Sequence, residues 1–315
     1  MIERIYILES VDPLTFYGVN NTHLQLIKNL FPELRIVARG NVMKVIGAEE
    51  ESEDFLKKIR DIEKYCESYN SLSEEIITGI VRGEKIAFEK QANLIIYGMN
   101  GKAITARSEN QQKLVDSFDK NDMIFAVGPA GTGKTFVAIA LAVKALKNKQ
   151  ARRLILSRPA VEAGEKLGFL PGEMKDKLDP YLQPLYDALQ EMIPAVKLKE
   201  YMENNTIQIA PLAFMRGRTL NDAIIILDEA QNTTTHQIKM FLTRLGTNAK
   251  MIVTGDVTQI DLPPTTKSGL VQAMEILNHV PGIGRIQFEK KDIVRHKLVQ
   301  RIVEAYERAK RTTDT

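Results

Sequence analysis

Gly128-Pro129-Ala130-Gly131-Thr132-Gly133-Lys134-Thr135 is the stretch that decides the fold of this chain, and it fits the pattern G-x-x-x-x-G-K-[ST]. An apolar run, residues 123–127, precedes it, and a helix-like pattern, residues 136–146, follows it. Glycines let such a loop turn several backbone N–H groups toward one anion, and the next helix adds its positive end. The stretch therefore predicts a cradle for nucleotide phosphates. Lys134 is expected to reach the β and γ phosphates, and the Thr135 hydroxyl to help bind Mg²⁺.

A second apolar run ends in two adjacent acidic residues. Residues 223–227 read Ala-Ile-Ile-Ile-Leu, which is typical of a strand buried on both faces of a parallel sheet, and Asp228 and Glu229 follow. Asp228 is expected to hold Mg²⁺ directly or through water. Glu229 is expected to act as the general base that activates the attacking water. Together with the phosphate loop, the pair predicts hydrolysis of the nucleotide.

Two further strands complete the predicted nucleotide site. Residues 250–254 lead into Gly255-Asp256-Val257-Thr258-Gln259-Ile260-Asp261. Since ligands bind beyond the carboxyl ends of strands in open α/β sheets, Gln259 is predicted to sense the γ-phosphate or the lytic water. Residues 154–157 form the other strand. Its place in the chain matches the NTPase division that has an extra strand and a neighbouring glutamate base, and disfavours kinases and small GTPases.

The N-terminal residues predict a separate, smaller unit. Residues 2–8 form a strand, residues 23–30 a helix, Arg39-Gly40 a hairpin turn, and residues 55–66 part of a charged helix. We therefore predict an α+β domain over residues 1–80, a connecting arm over 81–106 and an NTPase domain over 107–315.

Composition indicates a soluble, cytoplasmic protein. Residues 1–90 carry a net charge of −4 and the remainder +7, so the basic excess accompanies the nucleotide-binding part, as expected for contact with a polyanion or for a solvated basic surface. Cys66 is the only cysteine, which excludes an intrachain disulfide. The N-terminus has no signal-peptide pattern, and no run approaches the ~18 apolar residues of a membrane span. The four histidines lack metal-ligand spacing.

A glutamine pair precedes the phosphate-loop strand. Gln111 and Gln112 stand near the start of a predicted helix that runs to Phe118. A glutamine offers the donor and the acceptor that the adenine edge requires. The same residues also fit the polar face of a first helical turn, so both interpretations stay open on chemistry alone.

These motifs, together with SRPAVEAGEKLGFLPG at residues 157–172 and LDEAQN at 227–232, closely resemble the PhoH-like ATPase family over residues 10–308. The resemblance implies an α/β P-loop NTPase of the RecA-like type, with a parallel sheet flanked by helices and a small N-terminal KH-like α+β domain. It also implies ATP and Mg²⁺ as cofactors, a relation to superfamily 1 helicases, a role in RNA metabolism, and adenine recognition by Gln111. The N-terminal unit lacks the GXXG tetrad of KH domains, so RNA contact and partner docking both fit it.

A single RecA-like domain raises the question of which arginine neutralises the transition state, because a helicase takes that arginine from its second domain. We expect it from a neighbouring copy in a ring-like homo-oligomer, a hexamer, with Arg295 the first candidate and Arg218 the second. The lysines at 166, 175 and 177 fit RNA contact, a subunit interface or a packing helix. Two functions stay open. One is an RNA-stimulated or RNA-remodelling ATPase, and the other a nucleotide-gated scaffold for a protein partner such as a ribosome-linked endoribonuclease.

Overall fold

A computed structural model describes residues 1–9, 11–69, 71–84, 93–159, 174–294, 298–299 and 302, without the side chains of 174–179. The chain forms two compact units. Unit 1 comprises Met1–Thr105 with Pro184–Ile207, and unit 2 comprises Ala106–Gln183 with Gln208–Thr315. These bounds differ from the predicted domains: the described residues of the predicted arm up to Thr105 belong to unit 1, and so does the segment Pro184–Ile207.

The secondary-structure elements are numbered in chain order. The strands are β1 (Ile2–Ile7), β2 (Arg35–Arg39), β3 (Val42–Gly47), β4 (Leu94–Tyr97), β5 (Ala103–Thr105), β6 (Met123–Val127), β7 (Arg153–Arg158), β8 (Ile207–Pro211), β9 (Ala223–Leu227), β10 (Lys250–Gly255) and β11 (Ile283–Gln287). The α-helices are α1 (Pro13–Tyr17), α2 (Thr22–Leu30), α3 (Glu49–Tyr69), α4 (Glu74–Arg82), α5 (Glu109–Lys120), α6 (Lys134–Lys147), α7 (Met174–Gln190), α8 (Ala195–Glu203), α9 (Thr235–Leu242) and α10 (Gly269–Ile276).

Unit 1 contains a three-stranded antiparallel sheet in the order β1-β3-β2. The predicted hairpin is confirmed: β2 and β3 turn at Gly40, whose φ of +57° suits a residue without a side chain. The apolar positions of α3, Phe55, Ile59 and Ile62, are fully buried in the core of this unit. The likeness of the unit to a KH domain stays a prediction.

Unit 2 is built on a six-stranded sheet in the order β11-β6-β10-β9-β7-β8. The pairs β11–β6, β6–β10, β10–β9 and β9–β7 are all parallel. Every residue of β6 and β9 is buried, which accounts for their continuous apolar sequences. Strand β10 lies between the strand before the phosphate loop and the acidic strand, and β7, the strand predicted over residues 154–157, lies on the other side of the acidic strand. The α/β fold is therefore confirmed.

Two strands of this sheet were not predicted. Strand β11 reads Ile-Gly-Arg-Ile-Gln and is only half-buried, and β8 ends in a proline. Both lie at the outer edges of the sheet. Edge strands bury less surface than central ones, so their sequences carry a weaker apolar signal. Within the described ranges, no helix is both long enough and apolar enough to cross a membrane.

Candidate nucleotide-binding site

The phosphate loop connects β6 to α6 and depends on glycine at defined positions. Gly128, Gly131 and Gly133 have φ values of +150°, +81° and +79°. A Cβ atom on Gly128 would lie 2.4 Å from the carbonyl oxygen of Phe288, and one on Gly133 would lie 2.8 Å from the Gln111 side-chain nitrogen. Gly128 therefore excludes a side chain for steric as well as conformational reasons, and the positive φ at Gly133 disfavours one there.

Lys134 is buried inside this loop. Its Nζ donates to the carbonyl oxygens of Gly128 and Pro129, both at 2.7 Å. Burial lowers the pKa of Lys134, and the negative charges of Asp256, Glu229 and Asp228 partly offset that effect. The loop thus holds a cation whose charged form is destabilised by burial, and an anion bound beside it would relieve that cost.

Thr135 and Asp228 meet at the first turn of α6. The Thr135 hydroxyl donates to Asp228 Oδ1 at 2.6 Å, and the Thr254 hydroxyl donates to the same oxygen at 2.8 Å. Because β9 and β10 are hydrogen-bonded neighbours, Thr254 at the end of β10 faces Asp228 just beyond β9. Two predicted metal-binding side chains are therefore adjacent, and a third residue fixes the orientation of the carboxylate.

Glu229 follows with a different environment. Its backbone has a φ of +52°, in the left-handed region, and its side chain is 36% exposed. The guanidinium of Arg158, at the end of β7, lies 3.5 Å from Glu229 Oε1 and 4.0 Å from Asp228 Oδ2. Arg158 thus balances the charge of both acids, while Glu229 keeps access to solvent.

A network of side chains links Glu229 to the loop after β10. Gln231 donates to Glu229 Oε2 at 2.5 Å and to the Gln259 carbonyl at 3.1 Å, and it accepts a bond from the Asp256 amide at 3.0 Å. Asp256 accepts a bond at 2.9 Å from the backbone N–H of Ala130 in the phosphate loop. The side chain of Gln259 itself is exposed, so its role as a γ-phosphate sensor stays a prediction.

Gln111 lies against the phosphate loop. Its Nε2 donates to the Thr132 carbonyl at 2.9 Å, and its Oε1 accepts from the Arg107 backbone N–H at 2.7 Å. The side chain is buried. Gln111 thus ties the start of α5 to the loop, and its predicted contact with adenine stays a prediction.

The predicted arginines have different positions. Arg218 donates to Gln208 Oε1 at 2.6 Å in the turn after β8. Arg295 lies outside the described residues, as do residues 160–173, which hold most of the family-like segment and Lys166, and the side chains of Lys175 and Lys177. Val294, just before Arg295, donates its N–H to the Gly131 carbonyl at 3.1 Å. The roles of both arginines stay predictions.

Sequence reasoning assigned no role to three residues that lie in this site, namely Arg158, Gln231 and Asp256. A signal was present for each of them. Arg158 and Asp256 follow or end buried strands, just as Asp228 does, and the carboxyl ends of parallel strands meet at one edge of a sheet. Applied to every strand, this rule would have brought Arg158 and Asp256 to the site. For Gln231, the signal was its position two residues after Glu229.

Comparison with known proteins places these motifs in context. A family model described as PhoH-like protein matches residues 103–307. A PhoH-like protein of Bacillus subtilis (strain 168) is 45% identical over 302 residues, 94% of this chain and 94% of that protein. A PhoH-like protein of Synechocystis sp. (strain ATCC 27184 / PCC 6803 / Kazusa) is 46% identical over 284 residues, 89% of this chain and 87% of that protein.

Among solved structures, the Pif1 helicase from Candida albicans is 14% identical, with a TM-score of 0.33 over 64% of this chain. The match spans 43% of the length of that helicase chain. A likeness at this TM-score does not bear on function.

Proposed function

The chain belongs to the PhoH-like protein family and has the phosphate loop of a nucleotide-binding protein; on this premise we propose that it is a Mg²⁺-dependent ATPase that RNA stimulates. The observation that carries the proposal is the contact between the two halves of the site. Thr135 of the phosphate loop lies 2.6 Å from Asp228, and Glu229 follows directly. A loop that only bound phosphate would not require a second, solvent-accessible acid beside it.

The loop supplies the binding part of this function. Lys134 and the first turn of α6 present a buried cation and free backbone N–H groups at one point, which favours the triphosphate of a nucleotide. The bonds of Lys134 to two loop carbonyls hold the ammonium group in place before a phosphate arrives.

The donor atoms of Thr135 and Asp228 fit Mg²⁺. A hydroxyl and a carboxylate oxygen stand side by side, and Mg²⁺ prefers a few hard oxygen ligands and keeps several waters. Within the described residues, no group of three or more His, Cys, Asp or Glu side chains could hold a metal. Phosphate and water oxygens would therefore have to complete the shell of the ion. When bound, Mg²⁺ would neutralise charge on the phosphates.

Glu229 is the residue that we assign to the proton transfer. Its carboxylate is a third exposed and is oriented by Gln231, whereas the Asp228 carboxylate is buried and accepts two hydroxyl bonds. A positioned carboxylate that takes a proton from the attacking water contributes roughly 10²- to 10⁴-fold to the rate. We therefore assign metal binding to Asp228 and base catalysis to Glu229.

Two features support RNA as the regulator, and a third supports a ring-shaped homo-oligomer. The basic excess of +7 lies in residues 91–315, which include the nucleotide site, and the motifs resemble those of helicase-related ATPases. The residues that the structure describes form one sheet that carries a phosphate loop, so we propose that a neighbouring copy supplies Arg295 to the γ-phosphate. Loss of turnover in Arg295→Ala, in protein whose assembly mass is unchanged, would support this arrangement; unchanged turnover would reject it.

Steady-state ATP hydrolysis tests the main proposal. The wild type is measured with and without single-stranded RNA at two salt concentrations, next to Glu229→Gln and the control Glu275→Gln, which changes an exposed glutamate of α10. We expect RNA to raise turnover more at low salt, Glu229→Gln to lower turnover by at least about 100-fold, and Glu275→Gln to have no effect.

Two results would contradict the proposal. Wild-type protein without Mg²⁺-dependent turnover would exclude the ATPase. Turnover that RNA does not change, with no salt-sensitive RNA binding, would exclude RNA and favour a nucleotide-gated scaffold for a protein partner.

A further inference from the structure

An exposed phenylalanine stands on a well-anchored turn of unit 2. The turn, residues 212–218, follows β8. Leu212 and Met215 are buried in the same apolar core as Ile238 and Phe241 of α9. Phe214 lies between these anchors and is 59% exposed. Leu212 and Met215 thus anchor the turn in the core, and the Phe214 ring is exposed to solvent.

Hydrogen bonds hold the end of the turn to α9. Arg244 donates to the Arg218 carbonyl at 2.8 Å and to the Met240 carbonyl at 2.9 Å. Arg218 in turn donates to Gln208 of β8 at 2.6 Å. The turn is therefore a preorganised surface, and a ligand bound there would lose little binding free energy to ordering it.

Arg216 adds an uncommitted positive charge next to the ring. Its side chain is exposed and makes no hydrogen bond or ion pair with another residue that the structure describes. The neighbouring Gly217 has a φ of +76°, and a Cβ atom there would meet no atom within 4 Å. An aromatic face, a free guanidinium and open space thus occur within four residues.

This combination fits single-stranded nucleic acid better than a protein surface. Single strands are bound by aromatic rings that stack on bases and by cations that contact phosphates. Protein-docking surfaces are often marked by a contiguous exposed apolar patch. The other exposed residues of the turn are Ala213, Arg216 and Gly217, so Phe214 is the only large apolar side chain that the turn exposes.

The turn also contacts the helix that follows the acidic motif. Helix α9 is capped by Thr234, five residues after Glu229, and its buried side chains Ile238 and Phe241 pack with Leu212 and Met215. A ligand on the turn would therefore bind to a surface supported by the helix that leads directly from the catalytic segment. This arrangement offers a physical route between RNA binding and ATP turnover.

We propose that residues 212–218 form a contact site for single-stranded RNA, in which Phe214 stacks on a base and Arg216 contacts a backbone phosphate. The inference rests on the proposed RNA-stimulated ATPase and names the surface that RNA uses.

Fluorescence anisotropy with a labelled 12-nucleotide oligouridylate, titrated at several salt concentrations, tests the site. We expect Phe214→Ala to weaken binding roughly 5- to 100-fold without changing the salt dependence, and Phe214→Tyr to restore it. Arg216→Ala should weaken binding and reduce the slope of log affinity against log salt by about 0.7, the value for one phosphate contact on a single strand. The controls Ile276→Ala and Arg152→Ala, an exposed apolar residue and an exposed arginine elsewhere in unit 2, should bind like the wild type.

The failures of the two proposals are distinguishable. If wild-type protein binds no RNA, both the proposed RNA stimulation and the contact site are excluded. If the wild type binds RNA and Phe214→Ala has an RNA affinity within twofold of the wild-type value, only the contact site is excluded. If Phe214→Ala lowers the assembly mass in light scattering while RNA affinity is unchanged, the turn is a subunit contact and the inference is overturned.

Discussion

Gln231 donates a hydrogen bond to Glu229 across one intervening residue, with 2.5 Å between Nε2 and Oε2. Gln231 is 1% exposed, and its amide also engages the Gln259 carbonyl and the Asp256 N–H. One buried side chain thus joins the proposed base to the loop that carries the proposed γ-phosphate sensor. Because Gln231 is buried and donates to the Glu229 carboxylate, we expect it to position the proposed base.

We expect Gln231→Ala to lower kcat for ATP about 10- to 100-fold and to leave nucleotide affinity nearly unchanged. A hydrogen bond to a charged group contributes about 1.5–3 kcal/mol, and here the bond orients the base without touching the loop that binds phosphate. Steady-state kinetics and binding of a fluorescent ATP analogue separate the two effects. The control Gln25→Ala changes an exposed glutamine of α2 and should have wild-type kinetics. A rise in KM with kcat unchanged would instead assign Gln231 to nucleotide binding.

A second prediction concerns Gln111 and distinguishes two roles, support of the phosphate loop and recognition of adenine. Both atoms of its amide bond to backbone groups, one of them in the phosphate loop. We therefore expect Gln111→Ala to weaken ATP and GTP binding to a similar extent, by roughly 3- to 10-fold for the loss of two neutral hydrogen bonds. Equilibrium binding of both nucleotides measures the ratio. A loss confined to ATP would show that Gln111 recognises adenine, as the family resemblance implies.

The central part of the fold could be predicted because its sequence signal is local. Strands β6 and β9 are buried at every residue, and an uninterrupted apolar run of five residues before a glycine-rich loop or two acids is typical of a central parallel strand. The edge strands β8 and β11 lack such runs. The segment Pro184–Ile207, which groups with unit 1, is a related case: its amphipathic pattern predicts helices but does not say which core they cover.

In the site, too, features with a local sequence signal could be predicted and long-range contacts could not. The spacing of the phosphate loop fixes its own geometry, so Lys134 and Thr135 could be placed from the sequence. The contacts of Gln231 and Asp256 span 25 and 126 residues, and depend on the order of strands in the sheet. The chemistry of the Gln111 amide predicts which groups it can bind. It does not predict that backbone groups bond to both its oxygen and its nitrogen.

A third prediction concerns the hydroxyl of Thr135. Its bond to Asp228 places a hard oxygen donor at the proposed Mg²⁺ position. We expect Thr135→Val to abolish most of the gain in ATP affinity that Mg²⁺ provides, and Thr135→Ser to retain it, since serine keeps the hydroxyl. Dissociation constants with Mg²⁺ and with a chelator give the gain for each variant. Equal gains in Thr135→Val and wild-type protein would exclude the hydroxyl from metal binding.

The last prediction concerns Asp292, which anchors the segment before Val294. Its carboxylate accepts bonds from Asn110 at 2.7 Å and from the Glu289 N–H at 2.8 Å. Burial alone would raise the pKa of Asp292, but the bonds from Asn110, Glu289 and Ser108 and the charge of Lys291 outweigh it and lower the pKa. A carboxyl whose pKa is lower in the folded state stabilises that state above its unfolded pKa of about 3.9 and loses this contribution as pH falls through the folded value.

We therefore expect Asp292→Asn to lower the thermal unfolding temperature of unit 2 at pH 7 by roughly 3–10 °C, since bonds to a charged group are lost. The difference from wild type should stay constant down to about pH 5 and shrink progressively below about pH 4, where the wild-type carboxyl takes up a proton. Asp119→Asn, an exposed aspartate of α5, should match the wild type throughout. A difference that grows as the pH falls would contradict the lowered pKa, because it would mean that the folded state stabilises the protonated carboxyl.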